Sequence, residues 1–225
     1  MARLEAVRKF RPGSKRLATR ELASTPSNFA FASHDEREYI IVPSVSSERR
    51  TYIPIGFLPP EVIASNLCLI IPGATIVHFG VLSSSLHMAW VRAVCGRLKS
   101  DFRYSAGIVY NNFPWPVDAT EAQRGAIEAA AQGVLDARAR FPEASLADLY
   151  DPLTMPPALV KAHQALDRTV DAAYVPSGGK KSWASDAERV AFLFALYQRL
   201  TSLLPAAAPV RKARGKRASG STSRT

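Results

Sequence analysis

A chain of 225 residues and 24.5 kDa can bury one substantial core or two small ones. With 47% hydrophobic and 21% charged residues it has the make-up of an ordinary soluble globular protein. A formal charge of +10 invites a polyanionic partner, but the charge is unevenly placed. Residues 1–20 hold seven Lys/Arg against Glu5 alone, and residues 205–225 hold six and no acid. Setting those thirteen cations and Glu5 aside from totals of 29 and 19 leaves 16 basic and 18 acidic groups, so the middle of the chain is nearly neutral. Cys68 and Cys95 lack CxxC or Cys/His spacing and fit buried free thiols rather than a disulfide or zinc site. The apolar runs 67–72 and 74–82, broken by Pro72 and Gly73, are too short to span a bilayer. No apolar core follows the basic start, so a signal peptide is not expected, and the expected location is the cytoplasm with no membrane partner.

In chain order, residues 1–28 are basic and end in STPSN, which reads as an irregular entry segment. YIIV and TYIPI, separated by the polar SVSSERR, predict a hairpin whose strands are punctuated by Pro43 and Pro54. PPEVIASN predicts a short helical turn from Pro60, and NLCLIIPG a third buried strand. His78, between Val77 and Phe79, is expected in a strand. Leu86, Trp90, Val91 and Val94 recur at helical spacing behind the serines 83–85, predicting a helix that Gly96 and Arg97 close. Residues 103–110 read as extended or mixed, leading into NNFPWP, where Pro114 and Pro116 forbid regular structure. Beyond Pro116 the pattern turns helical: 120–140, a short turn capped by Ser145, a stripe of Leu159, Ala162, Leu166, Val170 and Ala173 after Pro156, and 186–204. The basic end from 205 reads as disordered. The fold expected is therefore α+β: 1–28 irregular, 29–117 a small mixed sheet-and-helix subdomain, 118–204 an α-helical domain, and 205–225 a tail.

Glu48, Arg49 and Arg50 are the sharpest candidates for chemistry. A glutamate accepts from cytosine N4, and an arginine donates twice to guanine O6 and N7 in the major groove. Two positions apart on an extended segment, Glu48 and Arg50 would point to one side and suit one C·G pair. The competing reading is a solvated turn whose charges pair with one another. Arg49, with Arg97, Lys99 and Arg103, suits phosphate contacts that position without specifying; for Arg97 helix capping competes. Tyr110, Asn111, Asn112 and Trp115 could face DNA, but an aromatic-Pro segment joining two modules more often packs. His87 and His163 lack a nucleophile or metal companion and read as structural or exposed, and capping and helix pairing explain Asp151 and Asp167. Gly178-Gly179-Lys180 is half a phosphate loop without the preceding strand.

Three separated blocks, SSERRTYIPIGF, the run 78–116 and LYDPLTMPPALVKAHQALDRTVDAAY, occur in one order. In them the chain resembles the DNA-recognition and C-terminal region of MmeI-type restriction-modification methyltransferases. The resemblance covers most of 25–204 and implies a target-recognition part, then a C-terminal helical domain. It also implies double-stranded DNA as partner and base reading by the block that holds Glu48 and Arg50. Such enzymes are adenine methyltransferases that use S-adenosylmethionine. A base-flipping site needs an Asn/Asp-Pro-Pro-aromatic tetrad, and neither Pro59-Pro60 nor Pro156-Pro157 has those neighbours. The chain alone is therefore expected to bind no such cofactor, to be inactive in methyl transfer and to be a fragment. It would act as a recognition portion, or as a specificity module that docks a separately encoded methyltransferase core.

Overall fold

The computed structural model describes residues 2–28 and 36–202; the basic end expected over 205–225 lies outside the described residues. The entry segment is helical rather than irregular: α1 (Ala2–Phe10) and α2 (Leu17–Glu21) are joined and followed by single 3-10 turns. None of these elements has a buried residue. One side chain stitches them together: Arg11 donates to the carbonyls of Leu22 at 2.6 Å, Thr25 at 2.7 Å and Asn28 at 2.6 Å. A guanidinium's fork of donors suits that task, whereas an ammonium offers only a point charge.

Two three-stranded antiparallel sheets follow. In the first, β1 (Tyr39–Pro43) lies between β3 (Gly56–Leu58) and β4 (Cys68–Pro72). In the second, β6 (Asp101–Arg103) lies between β2 (Val45–Ser46) and β5 (Gly96–Leu98). Ser44 links them: its N–H donates to Leu67 O at 2.9 Å and its carbonyl accepts from Tyr104 N at 2.8 Å. The strands at YIIV and CLIIP stand where the sequence places them. The second arm of the expected hairpin does not, because Gly56–Leu58 pairs with β1 while Ile53 and Ile55 enter the core without a ladder, at 2% and 1% exposure. Residues 60–62 form an isolated turn instead of a helical one.

After β4 and before β5 come α3 (Ile76–Leu82) and α4 (Ser85–Val94). His78 is thus helical, and its ring explains why: Nδ1 accepts the Thr75 backbone N–H at 3.1 Å, capping α3. α4 ends at Val94, two residues before the expected closure, because Gly96 and Arg97 join β5. A π-helical turn at Ala106–Tyr110 replaces the extended segment expected after Arg103. Then come α5 (Glu121–Ala139), α6 (Leu146–Leu149), α7 (Pro157–Ala173) and α8 (Asp186–Thr201). Thr120 and Gln123 form a capping box on α5, and Ser145 caps α6.

The C-terminal helices share one core with the preceding elements. α5 packs along α7 and against α3, and α8 against α4. The α3 contact requires Gly80: a Cβ there would lie 2.7 Å from Ile127 Cγ2 and 3.1 Å from Ala131 Cβ. Trp90 meets Phe194 and Tyr197 of α8 at ring distances of 5.1 and 6.1 Å. Gly179 is a packing residue too, with its N–H on Tyr174 O at 2.9 Å in the turn that ends α7, and Lys180 pairs with Glu188 at 3.0 Å; this segment is a helix terminus rather than half a phosphate loop. No helix among the described residues is long and apolar enough to cross a membrane.

Candidate nucleic-acid interface

The second sheet and the turn that leaves it gather the sequence-predicted residues. After β2 the chain bends back at once, with Arg50 N–H donating to Ser47 O at 3.2 Å. Residues 47–50 are therefore a hydrogen-bonded turn, and the extended geometry that would put Glu48 and Arg50 on one side is absent. The turn is tied to the sheet by Glu48 N–H, which reaches Asp101 Oδ1 at 3.3 Å. The Glu48 carboxylate faces Arg97 at 4.0 Å rather than its neighbours in the turn. Arg49 is exposed and Arg50 half-buried. Neither makes a side-chain hydrogen bond or ion pair among the described residues.

β5 and β6 form a hairpin closed by Lys99 and Ser100, with Leu98 opposite Asp101. Register sets Arg97 beside buried Phe102, and Arg103 beside Gly96 and Val45. Strand alternation therefore sends Arg97 and Arg103 to opposite faces, so the cations do not form one patch on one side. The Arg97 guanidinium lies 4.3 Å from the Phe102 ring centroid and donates to Ser100 O at 3.0 Å. It closes a hairpin tip, and it does not cap α4. Lys99 at that tip has φ 56°, in the left-handed region that costs a side-chain-bearing residue about 1–2 kcal/mol. Lys99 and Arg103 are exposed. Leu98 stands 49% exposed beside Lys99, an apolar side chain at a solvent-facing tip.

Behind the turn lies a buried polar junction that no sequence spacing announces. Tyr52 O–H donates to Asp167 Oδ2 at 2.7 Å, while Asp167 Oδ1 accepts Ser85 N–H at 2.7 Å and so caps α4 from α7. Burial holds the Asp167 carboxyl above its ordinary pKa, with the Ser85 N–H pulling the other way. The Tyr52 ring stacks on His163 at 4.0 Å. His163 Nδ1 lies 3.2 Å from Ser83 O, which requires an N–H there and leaves Nε2 to accept from Tyr150 O–H at 2.7 Å. Arg138 donates to the Tyr150 oxygen through Nε at 2.8 Å and also through Nη2, and to Ile55 O through Nη1 at 2.7 Å. Burial, then the Arg138 charge, pushes the His163 pKa down to about 3.

The remaining sequence candidates pack, apart from Asn111, which is exposed. His87 is buried against Tyr104 at 3.0 Å, and burial pushes it down to about 3 as well. Asn112 Nδ2 donates to Gly107 O and Ile108 O, capping the π-helical turn. Trp115 sits edge-on to His78, Tyr110 and Phe113. Among the described residues no group of three or more His, Cys, Asp or Glu could hold a metal.

Comparison with known proteins gives a consistent picture. Residues 1–117 match the family described as MmeI, target recognition domain, and residues 119–205 that described as MmeI, C-terminal domain. DNA methyltransferase A of Bacillus subtilis (strain 168) is 44% identical over 199 residues, covering 88% of this chain and 22% of its own length. A solved structure of the Type IIL restriction-modification enzyme MmeI in complex with DNA is 48% identical, with a TM-score of 0.81. It covers 90% of this chain and 26% of the MmeI chain, so the present chain spans about a quarter of either relative.

Proposed function

Because the chain belongs to the MmeI family, through its target recognition and C-terminal domains, we propose that it reads a duplex DNA sequence as the recognition portion of a restriction-modification methyltransferase. The observation that carries this reading is the turn at 47–50. It holds Glu48 and Arg50 at an exposed sheet edge, beside a hairpin bearing cations on both faces and at its tip. Glu48 and Arg50 serve as base contacts, the one accepting from cytosine N4 and the other donating to guanine. Arg49, Lys99 and Arg103 are free to meet phosphates, and Arg97 adds whatever its guanidinium has left after Glu48 and Ser100.

Methyl transfer lies outside this chain on the same reading. Pro156 and Pro157 open α7 and Pro60 sits in a turn, so neither Pro-Pro pair serves a flipped base, and S-adenosylmethionine is assigned to a methyltransferase core. That core is either joined to these residues in one polypeptide or encoded separately and docked. Two measurements test the proposal. A binding selection on randomised duplexes yields a defined motif, and exchanging the charges (Glu48→Arg with Arg50→Glu) alters it where these side chains reach the duplex; an unaltered motif makes them turn residues only. Labelled methyl donor with the purified chain gives no turnover on any selected duplex, and robust turnover overturns the assignment of the chemistry to another part.

A further inference from the structure

We infer that the C-terminal helices set the base preference of the Glu48–Arg50 turn by fixing its trailing end, with Tyr52, Arg92 and Asp167 as positioning residues. This rests on the reading of that turn as base-contacting. Its leading end is held within the second sheet, through the pairing of Ser46 with Phe102 and the Glu48 N–H bond to Asp101. The trailing end is held by a different part of the molecule. Arg92 of α4 donates through Nη2 to Thr51 O at 3.3 Å, and through Nη1 to Asp186 Oδ2, in the first turn of α8, at 2.7 Å. One residue later Tyr52 is locked twice into α7, by the hydroxyl on Asp167 and the ring on His163.

Arg50 thus projects from a backbone in which the Thr51 carbonyl is held by Arg92 of α4, itself paired with Asp186 of α8, and the Tyr52 side chain is committed to α7. Tyr52 is 6% exposed and cannot itself reach a base edge. A bidentate base contact demands donor and acceptor within a narrow distance and angle. Small shifts of the Thr51–Tyr52 anchor therefore reach the duplex only through the turn. The Arg92–Asp186 pair separates this role from stability: its side chains are 35% and 43% exposed, so losing it costs the fold little.

The test uses the full 225-residue chain, with the duplex selected from a randomised pool and a scrambled duplex as probes. Variants are Tyr52→Phe, Arg92→Gln and Asp186→Ala, beside Glu48→Gln as the direct reader. Circular dichroism monitors folding, and Asp186→Ala, at an exposed helix start, keeps the test decisive if the buried variant fails to fold. The expected result is a loss of roughly 3- to 30-fold in affinity for the selected duplex. It comes with flattened preference at the base pair that Glu48→Gln also flattens, and with unchanged affinity for the scrambled duplex and an unchanged salt slope. Equal losses on both duplexes overturn the inference. A motif that Glu48→Gln alters but the anchoring variants leave intact also overturns it, while sparing the reading of the turn. A wild-type chain that selects no motif, or a motif that Glu48→Gln leaves intact, overturns both.

Discussion

The outer sheet and the junction behind it spend their polar groups in opposite ways. On the sheet, Arg49, Lys99 and Arg103 stand in solvent, Lys99 takes a left-handed backbone, and the Glu48–Arg97 pair stretches to 4.0 Å. At the junction, Arg138, Tyr150 and His163 are linked by hydrogen bonds, and Tyr52, stacked on His163, bonds Asp167, mostly near 2.7–2.8 Å. A buried polar group left unpaired costs about 1–3 kcal/mol, whereas an exposed one is satisfied by water. The difference teaches that stability and recognition are lodged in separate residues a few positions apart in the chain. The sheet's exposed side chains can be changed without touching the junction, whereas the junction reaches the turn through Tyr52.

The junction yields the largest expected effect. Arg138→Met strands Ile55 O and strips the Tyr150 oxygen of its donors, and we expect a loss of about 2–4 kcal/mol in denaturant unfolding. A loss below about 0.5 kcal/mol would mean that the network is slack. The charge exchange at Glu48 and Arg50 runs the other way. Discrimination changes by about 1–3 kcal/mol where these side chains reach the duplex, while unfolding stability stays within about 0.5 kcal/mol of the wild type.

Acid sharpens the contrast further. The folded-state pKa of His163, about 3, lies below its ordinary value of 6.5. Unfolding therefore takes up a proton there throughout that window. The stability tied to the neutral ring is fully present above pH 6.5 and is lost as pH falls toward 3, at up to about 1.4 kcal/mol per pH unit. His87 acts in the same sense. Asp171 acts in the opposite one, since burial, against the pull of Arg189, lifts its pKa from 3.8 to about 6. The clean observable is a difference of slopes. His163→Gln, whatever its stability at pH 7, should flatten the dependence between pH 6 and 4.5 by close to one proton, and parallel slopes would contradict a neutral buried imidazole.

The smallest effect belongs to the hairpin tip. Lys99→Gly relieves the positive φ and should stabilise the chain by about 1 kcal/mol, while weakening binding to every duplex alike and lowering the salt slope by about one unit. A gain in stability with unchanged binding would remove Lys99 from the contact surface.

Much of the frame was legible in the sequence. Strands β1 and β4 and helices α5, α7 and α8 follow from apolar runs and periodicity, and the α+β arrangement with them. Where reading stopped, the cause is physical. Ile53 and Ile55 look like a strand because β-branched residues mark burial, and burial says nothing about which carbonyl an N–H will find. SVSSERR reads as turn-forming and does turn, with Arg50 N–H on Ser47 O; only the extended spacing expected of Glu48 and Arg50 within it fails. His78 as a cap and Arg138 as a core residue had no local signal, since each role is set by a partner's position; Ile55 lies 83 residues from Arg138. The candidate contacts were nameable, but their division between two hairpin faces required the register.

Gly80 carries a consequence for how such chains diversify. Because α3 rests on α5 with no room for one carbon atom, the two family-matched parts cannot be cut and rejoined at residue 118 like interchangeable cartridges. A chimera that joins these helices to another recognition half keeps this seam only where that half also has a glycine at the position of Gly80. Exchange of single side chains on the second sheet leaves that seam alone.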